Sequence, residues 1–250
     1  MTHPVFGSLF ANRIVVITGA GRGIGRETLL AFHAAGANVI AHLGRNPDYA
    51  EGLPESVETF TSDFTKPAGQ QAFIDFVASR TPKVDVLINN AGTMFGRFPA
   101  DTLTDEQYQD IVELNQNAVM RITRGLLPQL KIAGKAAIIN TVSISASTGG
   151  SPGSSIYSAT KAFVSTYSRG LARELAPDCI RVNAVSPGVI DTDFHERYSS
   201  LEKLEATRQQ IPLQRLGTSA DCAPAFLFFA AEELSGYITG QVLEINGGQR

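Results

Sequence analysis

Two kinds of segment alternate along this chain. Short β-branched or apolar runs recur at Arg13–Thr18, Asn38–Leu43, Val57–Thr61, Val84–Ile88, Ala136–Thr141, Ile180–Val185 and Thr239–Ile245. Runs this short and this continuously apolar suit strands buried on both faces of a parallel sheet. Between them lie segments with helical periodicity: Ile24 to about Ala35, Ala68–Arg80, Ser155–Leu175 and Ala220–Ala231. A further long helix is predicted to start at Thr104-Asp-Glu-Gln, which has the form of a capping box, and to carry Asn115 in its middle. Asn46–Glu55 breaks the alternation, being short and turn-rich, with room for little more than one helical turn. Strand and helix in alternation predict an α/β fold with a parallel sheet and helices on both of its faces. The chain shows no linker, repeat or low-complexity block, so residues 1–250 are expected to form one domain.

Polar residues and glycines mark the carboxyl ends of successive strands. The first strand runs into Thr18-Gly-Ala-Gly-Arg-Gly-Ile-Gly25, with glycines at 19, 23 and 25, and then into a helix. Strand, glycine turn and helix in that order let a backbone approach a pyrophosphate and offer it helix N-terminal amides. The second strand ends at Leu43-Gly-Arg45, with no acid before Asp48. A site for NAD(H) usually has an acid there to hold the ribose 2′-OH. Arg45, with Arg22 inside the glycine turn, would instead suit a 2′-phosphate, the other reading being that both are simply solvated. Ser62-Asp63-Phe64, Asn89-Asn90, Ser143 and Pro187-Gly188 end the next four strands. In a parallel sheet all six ends open on one edge, where such sheets bind ligands. Tyr157 and Lys161 then follow on one helix, four residues apart and so on one face. An ammonium beside a phenol favours the phenolate, so the Tyr157 pKa is expected to fall and the group to serve as a general acid or base.

Composition narrows the partners. The hydrophobic share of 43% and the charged share of 18% are those of an ordinary globular protein, and the net charge of −3 is spread over interspersed acids and bases. No phosphate-backbone footprint results, so nucleic acid is not expected as a partner. Cys179 and Cys222 make neither a disulfide framework nor a zinc cluster, and His3, His33, His42 and His195 lack metal-site spacing, so no metal is expected. The start of the chain lacks a signal-peptide profile and no run is long enough to span a bilayer, which fits a reduced cytoplasmic setting without membrane attachment.

Over nearly its whole length the sequence resembles the short-chain dehydrogenase/reductase family. The motifs are TGAGRGIG (Thr18–Gly25), NNAG (Asn89–Gly92), Asn115, Ser143, YSATK (Tyr157–Lys161), SPG (Ser186–Gly188) and YITGQVLEINGG (Tyr237–Gly248). The resemblance implies a single-domain Rossmann fold, doubly wound, with a seven-stranded parallel sheet. It implies that Tyr157 is the catalytic acid/base, that Ser143 orients a substrate carbonyl, that Lys161 holds the nicotinamide ribose and tunes Tyr157, and that Asn115 fixes a water in a proton relay. It implies cofactor contacts from Gly19, Arg22, Gly23, Ile24 and Gly25, from Arg45, from Asp63 and Phe64 about the adenine, and from Asn90, Ala91 and Gly92 about the adjoining ribose. Pro187, Gly188, Val189 and Thr192 complete that set, the last two at the nicotinamide carboxamide. Within the family the chain looks most like the 3-oxoacyl-carrier-protein reductases, which implies hydride transfer between NADP(H), favoured over NAD(H), and a carbonyl or secondary alcohol, a 3-oxoacyl thioester among the candidates.

Alternatives remain at this stage. They are an NAD-dependent alcohol, sugar or steroid dehydrogenase of the same family, a nucleotide-sensing protein without turnover, and a sugar-nucleotide epimerase or dehydratase, which is expected to have a different glycine spacing and a larger C-terminal substrate domain. A substrate lid is expected over about 190–215, with Met94, Phe95, Ser145 and Gly149–Pro152 also shaping the pocket. Ser145 is a weaker candidate than Ser143 for the catalytic serine. The family typically assembles through its catalytic helix, and Ala159, Ala162, Phe163, Thr166, Ser168 and Gly170, with Ala118, Val119 and Leu126, are expected to face a second copy in a dimer or, more fully, a tetramer. Lys131, Lys135, Arg169 and Arg173 would be the residues to dock an acyl-carrier protein, if they are not simply solvated.

Overall fold

The computed structural model describes residues 6–192, 198 and 201–249. Among these, seven strands form one sheet: β1 (Ile14–Ile17), β2 (Asn38–His42), β3 (Glu58–Phe60), β4 (Val86–Asn89), β5 (Ala136–Thr141), β6 (Ile180–Pro187) and β7 (Val242–Ile245). Their order is β3-β2-β1-β4-β5-β6-β7, and every neighbouring pair is parallel. The helices are α1 (Gly23–Ala34), α2 (Pro67–Arg80), α3 (Asp105–Val112), α4 (Ala118–Ile132), α5 (Ser145–Thr148), α6 (Ser155–Glu174), α7 (Leu201–Gln210), α8 (Ser219–Ala230) and α9 (Glu232–Ser235). This is the expected doubly wound Rossmann fold.

The two-residue period of the strands divides the core. Val15 and Ile17, Val86 and Ile88, and Ala137 and Ile139 point to one face, where Leu29 and Phe32 of α1 and Phe226 and Phe229 of α8 cover them. Val16, Leu87 and Ile138 point to the other, under Phe73 and Val77 of α2 and Ile122, Leu126 and Leu130 of α4. Strands apolar on both faces are therefore what a sheet covered twice requires. From β1 the chain winds outward to β3 and then returns to lay β4 on the far side of β1. The reversal opens a crevice at the carboxyl ends of β1 and β4.

Several boundaries differ from expectation for local reasons. β7 starts at Val242 rather than Thr239, because Thr239 turns its hydroxyl to accept the Val182 amide (3.0 Å) and Gly240 adopts φ +73°. Asn46–Glu55, by contrast, holds a single 3-10 turn as expected, Pro47–Ala50, capped by the Asn46 side chain on the Asp48 amide (3.0 Å). The expected capping box on α3 is present between Thr104 and Gln107, and a second one, unforeseen, starts α8 at Thr218 and Asp221. Part of the lid segment, Leu201–Gln210, is a regular helix, while Phe194 and His195 lie outside the described residues. Four residues assigned to an assembly face point inward instead: Ser168 accepts from Asn140 Nδ2 (2.8 Å), and Ala118, Val119 and Leu126 are buried. Ala159, Phe163, Thr166 and Gly170 do face outward. Lys131 and Lys135 pair with Asp178 (2.9 Å) and Glu232 (3.6 Å) of their own chain. No helix among the described residues is long and apolar enough to cross a membrane.

Candidate active site

The glycine turn comes straight off β1. Gly19 adopts φ +65°, and a Cβ there would stand 2.6 Å from Ala91 Cα, so only glycine lets the turn lie against the NNAG segment. α1 begins after Arg22, whose backbone is extended and whose side chain makes no cap hydrogen bond, and its first turn carries no acid. The first amides of the helix are left for an anion, at its positive dipole end. Thr18 locks turn and segment together: its hydroxyl accepts the amides of Asn90 (3.0 Å) and Ala91 (3.1 Å), while Asn90 Nδ2 donates to Gly19 O (3.0 Å). Beneath them, Asn89 Nδ2 donates across the β4–β5 register to Asn140 Oδ1 (2.9 Å).

At the end of β2, Arg45 stands 3.7 Å from Asp63 and is largely exposed. An acid from the end of the third strand thus lies beside the end of the second. Hydrogen bonds to Thr65, with the charges of Arg45 and Lys66, outweigh burial and hold the Asp63 carboxyl below its usual range. The Phe64 ring is not free to flank a ligand: it is 3% exposed and stacked on His42 at 3.6 Å between centroids. What Phe64 presents to the cleft is therefore chiefly backbone. His42 is neutral, burial having pushed its pKa down to about 4, and shares a hydrogen bond with Ser62 O (3.0 Å). It fixes the wall from behind.

Tyr157 and Lys161 meet the cleft from α6 as expected. Lys161 is 3% exposed; its Nζ donates to Thr141 O (2.8 Å) and lies 5.8 Å from the Tyr157 ring centre. The expected fall of the Tyr157 pKa does not occur. Burial pushes the phenol up to about 12, the nearby Tyr198 adds to the rise, and a hydrogen bond with Ser143 opposes it. Burial also pushes Lys161 down to about 8. Over a distance of this kind the ammonium does not outweigh the desolvation of the phenolate. Ser143 is in turn braced by Ser145, whose amide (3.2 Å) and hydroxyl (3.0 Å) both donate to Ser143 Oγ. With its lone pairs so engaged, the Ser143 hydroxyl hydrogen is directed outward. Ser145 is thus a brace and Ser143 the serine against Tyr157.

Asn115 lies behind this surface rather than in it. It sits in a π turn, Glu113–Asn117, that joins α3 to α4. The wider turn is held by Glu113, which accepts from Gln70, Asn117 and Arg121. It lets Asn115 Nδ2 donate both to Ile111 O (2.8 Å) and across to Thr93 O (2.8 Å). Its Oδ1 is buried with no partner among the described residues, and a Cβ on Gly92 would stand 2.7 Å from it and 3.1 Å from Lys161 Nζ.

Apart from Asn115, every residue expected at the site lines one cleft of about 980 Å³, from Gly19–Gly25 at one end through Asn90–Gly92 and Tyr157 to Pro187–Val189 and Thr192. Met94, Phe95, Ser145, Gly150 and Ser151 line it too, as expected, whereas Gly149 and Pro152 of the same stretch do not. Sequence reasoning missed Arg97, Tyr49 and the brace made by Ser145; a lone arginine in a loop gives no signal of its own. The cleft fits a dinucleotide: glycine backbone and helix amides for phosphates, a polar wall at Asp63, and a buried ammonium midway.

A family model described as enoyl-(acyl carrier protein) reductase matches residues 19–250. The chain belongs to the short-chain dehydrogenase/reductase family. A 3-oxoacyl-(acyl-carrier-protein) reductase of Thermotoga maritima is 34% identical over 242 residues, 94% of this chain and 97% of that protein. Among solved structures, an NADH-dependent reductase described as responsible for alginate metabolism is 34% identical, with a TM-score of 0.86 over 97% of this chain and 98% of its own. A 3-ketoacyl-(acyl-carrier-protein) reductase of Brucella melitensis, solved with NADH, is 31% identical with a TM-score of 0.87 over 97% and 99%. As a member of this family the chain is an oxidoreductase of the nicotinamide-dependent kind.

Proposed function

We propose that the protein is an NADP(H)-dependent carbonyl reductase in which Tyr157 is the acid, with a 3-oxoacyl thioester among the carbonyl compounds it would accept. The observation that carries this is the half-buried Tyr157 phenol, hydrogen-bonded to Ser143 and backed by Lys161, in the cleft that begins at the glycine turn. When bound, the nicotinamide supplies the hydride. A phenol held up to about 12 keeps its proton across the neutral range, so it is on hand to give that proton to a substrate oxygen, which favours the reductive direction. The Ser143 hydroxyl, turned outward by Ser145, would donate to the same oxygen. Lys161 carries positive charge below about pH 8 and would stabilise the phenolate left behind. A water on Asn115 Oδ1, beside Lys161 Nζ, would return the proton.

Arg22 and Arg45 support NADP(H), since a 2′-phosphate would meet guanidinium groups there. The second reading is NAD(H), favoured by Asp63 beside Arg45, by the NADH dependence of one similar reductase and by the NADH bound in another. Leu204, Thr207 and Gln210 of α7 line the cleft, which supports a covering role for this helix over the substrate end. Assembly as a tetramer is part of the same proposal. NADPH and NADH oxidation by the purified protein over a panel of carbonyl compounds tests it. Tyr157→Phe is expected to lower kcat by about 10²–10⁴-fold while cofactor affinity is kept. A variant with wild-type kcat overturns the assignment, and equal kcat/KM for the two cofactors shows that the arginines face solvent.

A further inference from the structure

The substrate end of the cleft carries charge that the chemistry at Tyr157 does not use. Tyr198 lies near enough to Tyr157 to raise its pKa, and its hydroxyl shares a hydrogen bond with Thr93 Oγ1 (3.1 Å). Arg97 is fastened to the same place: Nε donates to Tyr198 O (3.0 Å) and Nη1 to Pro152 O (3.3 Å). The Lys203 ammonium, on α7, is close enough to Arg97 to feel its charge, and both side chains line the cleft. Tyr198, hydrogen-bonded through its carbonyl to Arg97, thus stands between the acid and the cationic part of the cleft lining.

Among the described residues no carboxylate answers Arg97. Its partners are two neutral carbonyls, and Asp63 is the one acid among the described residues that line the cleft, paired with Arg45 at the cofactor end. A strut between loops would not need that charge, and Phe98 N already ties the same segments through Gly153 O (2.8 Å). Nor do the cofactor's phosphates need it, since the glycine turn, Arg22 and Arg45 lie at the opposite end. Two like charges held together in a partly closed crevice raise the local potential and draw an anion in, and a guanidinium pairs with carboxylate or phosphate in two-pronged fashion. We propose that the carbonyl compound carries an anionic group of its own, a carboxylate or phosphate, which Arg97 binds and Lys203 assists. This rests on Tyr157 acting on that carbonyl, and it names the class of compound that Tyr157 meets.

Matched pairs test the idea with the full-length enzyme and saturating NADPH: a homologous series of keto acids, each against its primary amide, and dihydroxyacetone phosphate against dihydroxyacetone. For at least one chain length the anion is expected to exceed its neutral twin in kcat/KM by about tenfold or more, the scale of one charge-assisted contact. The keto acids and the phosphate separate the two sources of charge. Arg97→Gln is expected to erase most of that ratio and Arg97→Lys to keep part of it. Because Arg97 also braces Tyr198, Lys203→Gln, at an exposed position, serves as the second variant and is expected to shrink the ratio by a smaller factor. Equal use of every pair overturns the proposal, as does a ratio that survives both Arg97→Gln and Lys203→Gln. If no ketone is reduced, the assignment of Tyr157 is what fails. Calorimetric titration of the same pairs into the enzyme with NADP⁺ then decides the anion site separately: tighter binding of the acid, lost in Arg97→Gln, supports it, and equal binding refutes it.

Discussion

Lys161 is where the fold gives up stability for chemistry. Its ammonium is buried beside a phenol and bonded to one carbonyl, and burial takes its pKa from 10.5 to about 8. Below about 8 the lysine is charged in both folded and unfolded states, so the folded state carries the whole burial penalty. Between about 8 and 10.5 the unfolded chain binds more protons, so stability rises with pH; above 10.5 the penalty is gone. The shift corresponds to roughly 3 kcal/mol at neutral pH, reduced by about 1 kcal/mol for the hydrogen bond to Thr141 O. Lys161→Met is therefore expected to be inactive yet to melt higher than the wild type near neutral pH, with the gap closing towards about pH 10. Thermal melts at several pH values check this. A variant that melts lower at every pH would show that the Thr141 bond outweighs desolvation.

At the scale of elements, the site depends on how closely three pieces of backbone approach. Gly92 ends β4's loop against the π turn and α6 at once, with Asn115 Oδ1 and Lys161 Nζ in the space a methyl would take. Its φ is not positive, so Gly92→Ala strains no backbone and acts on those two side chains alone. A misplacement of the order of 1 Å costs about 10²-fold in rate, so kcat is expected to fall by about that factor with little loss of melting temperature. A variant as active as the wild type would place Asn115 and Lys161 outside the reaction. The strands and the polar residues at their ends were legible in the sequence, because a strand buried on both faces must be continuously apolar and a ligand edge must then turn polar. The π turn was not, since it exists through Glu113's bonds to Gln70 and Arg121 and Asn115's bond to Thr93, all made across distance in the chain. Nor was the direction of the Tyr157 shift, because spacing on a helix gives proximity to Lys161 but says nothing of burial. α7 escaped notice for the opposite reason: its sequence is polar on nearly every side.

For the molecule as a whole, two of the outward surfaces among the described residues carry neighbouring exposed apolar groups. One is the outer stripe of α6, where Ala159, Phe163, Thr166 and Gly170 follow one another at helical spacing and a Cβ on Gly170 would meet nothing within 4 Å. Phe163, 36% exposed, stacks on Tyr167 and so presents a flat aromatic face rather than a loose side chain. The second surface lies at the far edge of the sheet. β7 pairs with β6 on one side only, and Leu243 and Tyr237 stand 40% and fully exposed beside it. Edge strands and apolar patches of this kind are normally covered. A single self-complementary face closes a dimer about one two-fold axis; two such faces, on different sides of the chain, close a tetramer of D₂ symmetry about three. Sedimentation equilibrium at micromolar concentration is therefore expected to give four times the 26.7 kDa of one chain. Leu243→Glu with Tyr237→Glu is expected to yield a dimer that retains the α6 contact, and Phe163→Glu a dimer that retains the β7 contact. A wild-type mass of one chain, or a tetramer that survives both sets of substitutions, would mean that neither surface joins copies of this protein.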